Sequence, residues 1–531
     1  MKGGYRLLAL LLCLFTVFGV CACRHDPGGE ETTPQSGTGD PQTNDAEEIR
    51  MPMYLCDKID AVHIDRVMTT PTFAVPENLP EDAAQAVIVP HFTVGSSMVL
   101  QRRAVNLIRG TTAGEHIAVA FGNERYYGTV SGGKFEVYLP PMEAAEGKDL
   151  VILTDTAKRT LSNVCVGEVF LLNGQSNMVW SLGWSGDIHK DVIESATEKN
   201  IRVLRMNHTE SEYERADAEG NVEWQTISPE IAKNFSAVGY LFGKRLHSEL
   251  NIPIGLVQAA VSGSTLAFWL PADAYREYIA AGNEAYSSTA SGNLMPCLGY
   301  NGMVAPLVGM RFRGVVWYQG EANTSDNLFY AKQLTKLIQT YREKFSAPSL
   351  AFTVVELPKA TPTATIDYPE KWAPIKAAQR QVASETENVA FSVSIDLGHT
   401  DVHPTNKTVY ARRAAEITLN KFFGIAIDPF PTVAATQRIS ETIVSLTLEG
   451  GSGFSLQNGK NGFEVSTDGN TFIPATDVQL TGNELFVIAE TPIRYVRYGV
   501  IFYAGEPDFA KHITVYNAEG NPMDQFLLYI E

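Results

Sequence analysis

Three stretches of the chain differ in how their apolar positions are spaced. From about residue 87 to 165, short runs at 105–109, 116–121, 134–139 and 149–154 are broken by Gly110, Gly122, Gly132-Gly133 and Pro140-Pro141. Strands of this length between such turns predict a β-sandwich over 85–165. From Gly167 the period changes. Apolar runs at 169–173, 254–261, 314–318, 350–357 and 389–395 alternate with helical patterns at 235–250, 327–345, 372–384 and 407–422. That alternation predicts an α/β domain over 166–425, a three-layer fold around a parallel sheet, with its chemistry in the loops past the carboxyl ends of the strands. From about 429 to 531 short strands return at 443–448, 462–466, 485–488 and 493–502, with turns at Gly450-Gly451, Asp468-Gly469 and Thr481-Gly482. A second small β-domain closes the chain.

The N-terminus has a different pattern. Lys2 and Arg6 precede an apolar stretch from Leu7 to Ala22, which reads as a signal peptide over 1–22 and is short for a membrane span. The sequence Val20-Cys21-Ala22-Cys23 resembles the lipobox of bacterial lipoproteins, which implies cleavage before Cys23 and lipidation of that cysteine. Simple secretion with cleavage nearby is the alternative. Residues 24–48 contain no Leu, Ile or Val, so they cannot bury enough area to offset their ordering entropy, and 23–50 read as a disordered tether. The expected protein is exported: a surface lipoprotein touching the membrane only through its lipid, or else secreted or periplasmic.

Length and charge narrow the function. A chain of 531 residues leads one to expect about three domains. The formal charge of −18 argues against a nucleic-acid partner, which needs a basic face. With the signal removed and Cys23 lipidated, Cys56, Cys165 and Cys297 remain. They form neither a disulfide framework nor a zinc pattern, and a single disulfide among them stays open. None sits in a motif that would make a nucleophilic thiol.

The chemistry gathers where the predicted α/β strands end. The first block is Asn173-Gly174-Gln175-Ser176-Asn177-Met178, a strand entering a glycine turn that presents a serine. The second is Ser262-Gly263-Ser264-Thr265, where a glycine offers a free N–H to a reacting group. The third is Trp317-Tyr318-Gln319-Gly320-Glu321-Ala322-Asn323, with an amide side chain able to donate to an oxyanion. The fourth runs from Asp396 through His399 and Asp401 to His403-Pro404, an acid and an imidazole together. Each alone is ordinary turn chemistry; four in this order, each just past a strand of one sheet, point to an acyl-transfer site.

Ser, Gly, Asn and His in four ordered blocks resemble the SGNH (GDSL-like) hydrolases. The wording GQSNM, WYQGEAN and DVHP resembles their sialate O-acetylesterase (SASA) branch of carbohydrate esterases. Met98–Arg102, Leu139–Met142, Tyr495–Tyr498 and Tyr516–Gly520 extend the likeness into the flanking β-regions. The resemblance implies a flavodoxin-like core, Ser176 as nucleophile, His403 as general base, and an oxyanion hole of the Ser176 and Gly263 N–H groups with the Asn323 amide. Three positions depart from the pattern. Val179 stands where glutamate is usual, Ser262-Gly263-Ser264 replaces Gly-Gly-Thr, and Thr400 occupies the usual place of the acid. Asp401 is therefore the expected orienting acid, with Asp396 in reserve and a backbone carbonyl as a third option. Glu321 is expected to brace the oxyanion loop, and His399 is a rival base. Trp180, Trp184 and Trp269 stack on a sugar ring or simply pack.

No zinc spacing and no phosphate loop appears, so no metal or other cofactor is expected. The sequence thus predicts an exported esterase acting on acetylated carbohydrate. A xylan or other glycan acetylesterase is the alternative within the class, and a non-catalytic carbohydrate-binding protein is the alternative outside it.

Overall fold

The computed structural model describes residues 53–282, 295–324, 327–360, 372–399, 401–428, 430–457, 462–499 and 512–531. The signal at 1–22, Cys23 and the tether at 23–50 lie outside the described residues.

The N-terminal strands are β1 (Ile88–Pro90), β2 (Val99–Gln101), β3 (Asn106–Thr112), β4 (Ala118–Phe121), β5 (Glu124–Ser131), β6 (Lys134–Leu139), β7 (Ala145–Leu153) and β8 (Lys158–Gly174). β5 turns a corner: residues 124–127 pair with β4 and residues 128–131 with β6. The long β8 decides the architecture. Its first half pairs antiparallel with β7, and its second half is the central strand of the parallel sheet. The expected separate N-terminal sandwich is therefore not an independent unit. One strand serves both regions, and Ile108, Val119 and Phe135 share a core cluster with Leu171, Val257 and Val316.

The parallel sheet adds β9 (Ile201–Arg205), the short antiparallel β10 (Gln225–Thr226), β11 (Ile254–Ala260), β12 (Gly314–Tyr318), β13 (Ala351–Val355), β14 (Lys359–Ala360), β15 (Val389–Ser392) and β16 (Gly398–His399), with β14 and β16 paired apart from it. The order is β9-β11-β8-β12-β13-β15. Taken in chain order, the five strands β11-β8-β12-β13-β15 run 2-1-3-4-5, the flavodoxin-like order expected, and β9 is added at the edge beside β11. The switch point lies at β8, flanked by β11 on one side and β12 on the other. Every residue of β12 and β13 is buried, as unbroken apolar runs require when helices cover both faces.

The helices are α1 (Ser176–Val179), α2 (Lys190–Glu194), α3 (Pro229–Asn234), α4 (Ala237–Leu250), α5 (Ala272–Ala280), α6 (Tyr330–Lys344), α7 (Trp372–Glu385) and α8 (Thr408–Phe423). Ser236 caps α4 by accepting from the Gly239 N–H, and Asn251 ends it in the left-handed conformation. α4 packs with α8, and α6 with α7. In the C-terminal region two four-stranded antiparallel sheets contribute Leu446, Leu485, Val465 and Val496 to one core of their own.

Candidate active site

The turn after β8 depends on Gly174, whose φ of 142° suits glycine. A Cβ there would lie 2.1 Å from the Tyr318 carbonyl oxygen, so only glycine lets the ends of β8 and β12 approach this closely. Ser176 then opens α1 and is buried. Among the described residues its Oγ has no hydrogen-bond partner.

The second and third blocks close on this turn. The Val261 N–H and the Ser264 hydroxyl donate to the Gly174 carbonyl at 3.1 and 3.4 Å. Gly263 lies in an exposed turn with φ 72°. Asn323 is buried, and its Oδ1 accepts from the Leu266 N–H at 2.9 Å and Gln319 Nε2 at 2.7 Å. These bonds fix which edge of the amide donates. Gln175 Oε1 accepts from Gln319 Nε2, the Gly320 N–H and the Ala322 N–H at 3.1 to 3.2 Å. Gln319 Nε2 also lies 3.1 Å from the Ser264 carbonyl. Two glutamines thus lace the three blocks together.

The fourth block reaches the first through Asn177, whose Nδ2 donates to the Val402 carbonyl at 3.1 Å. The His403 ring stacks on Trp180 with centroids 5.3 Å apart and planes at 22°. Asp401 and His403 lie in a bend. The Asp401 carboxylate accepts the His403 backbone N–H at 2.8 Å and stands 3.5 Å from His403 Nδ1. It faces the nitrogen an orienting acid should face, but beyond ordinary hydrogen-bond length. Asp396 is committed elsewhere, in a two-pronged pair with Arg413 at 2.6 and 2.8 Å. The side chain of His399 lies outside the described set.

Burial and the nearby Lys407 ammonium lower the His403 pKa below its usual 6.5, with Asp401 pulling the other way. Lys407 itself is wholly buried, and burial pushes it down to about 7 against the opposing charges of Glu321 and Asp401. Burial raises Glu321, against the Asn177 hydrogen bond and Lys407. Glu321 Oε1 accepts from Asn177 Nδ2 at 2.6 Å, so it braces the turn that carries Ser176. Burial pushes Cys56 to about 11 and Cys297 to about 12, and all three described cysteines are unpaired.

The three tryptophans separate by environment. Trp269 is fully buried and donates to the Ser264 hydroxyl at 3.0 Å, so it packs. Trp180 carries His403. Trp184, perpendicular to Trp180 with ring centroids 5.7 Å apart, is 59% exposed. Sequence reasoning missed Gln175, Asn177, Gln319 and Lys407. For the amides a signal was present, since they stand at the ends of otherwise apolar strands; Lys407, at the N-cap of α8, carried none.

An α/β sheet whose switch point brings together the segments that carry Ser176, Gly263, Asn323 and His403 has the architecture of the SGNH-type carbohydrate esterases. The comparisons agree. Residues 166–419 match the family described as carbohydrate esterase, sialic acid-specific acetylesterase, and the resemblance carried by the motifs holds there. Human sialate O-acetylesterase is 27% identical over 275 residues, covering 47% of this chain and 52% of that protein. The Rattus norvegicus sialate O-acetylesterase is 27% identical over 332 residues, covering 53% and 60%. The chain therefore spans little more than half the length of these curated relatives. A carbohydrate acetylesterase from Xanthomonas citri superposes with a TM-score of 0.71 at 25% identity, covering 83% of this chain and all of that one.

Proposed function

We propose that this protein is an exported serine esterase that removes O-acetyl groups from carbohydrate. Ser176 Oγ attacks the acetyl carbonyl carbon and its proton passes to His403 Nε2. The tetrahedral oxyanion accepts hydrogen bonds from the Ser176 and Gly263 N–H groups and the Asn323 amide. Collapse expels the sugar oxygen, which takes the proton from His403 and leaves an acetyl-enzyme. Water, deprotonated by His403, then releases acetate and restores Ser176. Trp184 provides the exposed ring against which a sugar face can lie.

The observation that carries this reading is the Gln175–Gln319–Asn323 lacing, which draws the serine, glycine and asparagine blocks to one switch point. Turnover of p-nitrophenyl acetate by the parent, abolished in Ser176→Ala, is the expected result. Acetate release from acetylated sialic acid, xylan and other glycans then ranks the substrates. A well-folded parent that binds glycan yet releases acetate from none of them is a binding protein instead. Export and anchoring rest on residues 1–23; fatty-acid labelling in a bacterial host that survives Cys23→Ala removes the anchor from the proposal.

A further inference from the structure

Lys407 is a costly residue where it stands. It has no exposed surface, and it occupies the N-cap of a 16-residue helix, the end at which the dipole opposes a cation. The capping contact to α8 comes from elsewhere, the Asn406 Oδ1 accepting the Thr408 N–H at 3.0 Å. Lys407 Nζ donates instead to Asn177 Oδ1 and lies 5.5 Å from the Trp180 ring centroid and 5.8 Å from that of Tyr410. On the other edge of the same amide, Asn177 Nδ2 donates to Glu321 and to the Val402 carbonyl. Both hydrogen bonds run in one direction, from ammonium through amide to carboxylate, as a charged pair bridged by an amide requires.

We propose that Lys407 is a positioning residue for this site: with Asn177 and Glu321 it forms a buried bridge that clamps the His403 loop onto the Ser176 turn and sets a cation beside the imidazole. The bridge joins neighbours of both catalytic candidates. Asn177 follows Ser176, Val402 precedes His403, and Trp180 touches both the His403 ring and the lysine. It also accounts for how His403 is held although Asp401 stands 3.5 Å from its Nδ1. The charged and titratable groups around the cluster are Asp401 from the same loop, Lys407 from the start of α8, Tyr410 on α8, whose hydroxyl pKa burial pushes up, Glu321 after β12 and His189 from the segment before α2. His189 Nε2 accepts the Lys407 backbone N–H at 3.3 Å, so it adds no positive charge while neutral.

The kinetic part rests on the esterase reading; the titration part does not. In Lys407→Met the cation is gone, so the imidazolium is less opposed and His403 should titrate at least half a pH unit higher. NMR of selectively labelled histidine reads this in the full chain, with His403→Gln assigning the signal. Lys407→Arg keeps the charge and should restore the parent titration. For p-nitrophenyl acetate, kcat in Lys407→Met should fall at least tenfold with KM within about twofold, and the acid limb of kcat/KM should move to higher pH with the titration. An unchanged His403 titration in folded Lys407→Met overturns the proposal whether or not the parent is an esterase. A parent without esterase activity sinks only the functional reading. Should Lys407→Met not fold, Asn177→Ala breaks the bridge and keeps the cation; kcat should fall about tenfold, and parent-like kcat there overturns the clamp.

Discussion

Asp401 is half exposed, with 53% of its side chain open to solvent, so water screens whatever it does for His403. Asp401→Asn separates its two contacts. An amide oxygen can still accept the His403 backbone N–H, so the bend survives, but the negative charge facing Nδ1 is lost. Neutralising a fully buried triad acid costs about 10⁴ in kcat; for this exposed carboxylate about 10² is expected, with the thermal midpoint unchanged. Steady-state kinetics decide the matter. A kcat within threefold of the parent leaves a Ser176–His403 pair held by Trp180 and the Lys407 bridge.

At the scale of elements, the seating of α8 matters most, because Lys407 stands at its start and the His403 loop leads into it. Arg413 on α8 ties Asp396, past the end of β15, and also donates to the Gly520 carbonyl in the C-terminal region. The Asp396 and Arg413 side chains are 11% and 2% exposed, so breaking the pair strands a buried charge, at about 3 kcal/mol. Asp396→Asn is therefore expected to lower the unfolding free energy by about that amount, while the folded variant keeps kcat within about twofold. Denaturant melts paired with active-site titration test this. A hundredfold loss of kcat at unchanged stability would make Asp396 the catalytic acid after all.

For the whole molecule, the join between the N-terminal strands and the core carries a pH dependence of its own. His91 packs at this join, near Thr93, the Ala216 carbonyl and Arg109. Burial, then Arg109, depresses its pKa from 6.5 to about 4. The folded state keeps His91 neutral in that interval, while the unfolded chain takes up the proton. Its contribution is thus fully present above 6.5 and is lost as pH falls from 6.5 towards 4, by up to about 3 kcal/mol. Urea unfolding at pH 7 and pH 4.5 should show a smaller acid loss in His91→Gln than in the parent; equal losses would falsify the assignment.

Much of this was legible in the sequence, and the division has a physical basis. Apolar period and turn residues are local, so the strand at 314–318 emerged as read, and α7 and α8 emerged within a residue of the patterns at 372–384 and 407–422. The serine, glycine, asparagine and histidine blocks were visible because each terminates a strand, and strand ends announce themselves as polar breaks in apolar runs. Three things required the tertiary structure. Strand order is a long-range choice, and nothing in the local pattern of β8 says that one strand serves both sheets. Sequence ranked Asp401 ahead of Asp396 as the orienting acid, but only the place of Arg413 showed Asp396 to be a structural anchor. Lys407 looks like any surface lysine before a helix. Its burial, its bond to Asn177 and the facing carboxylate of Glu321 come from segments 230 and 86 positions away along the chain, and pairings at that separation exist only once the sheet has closed.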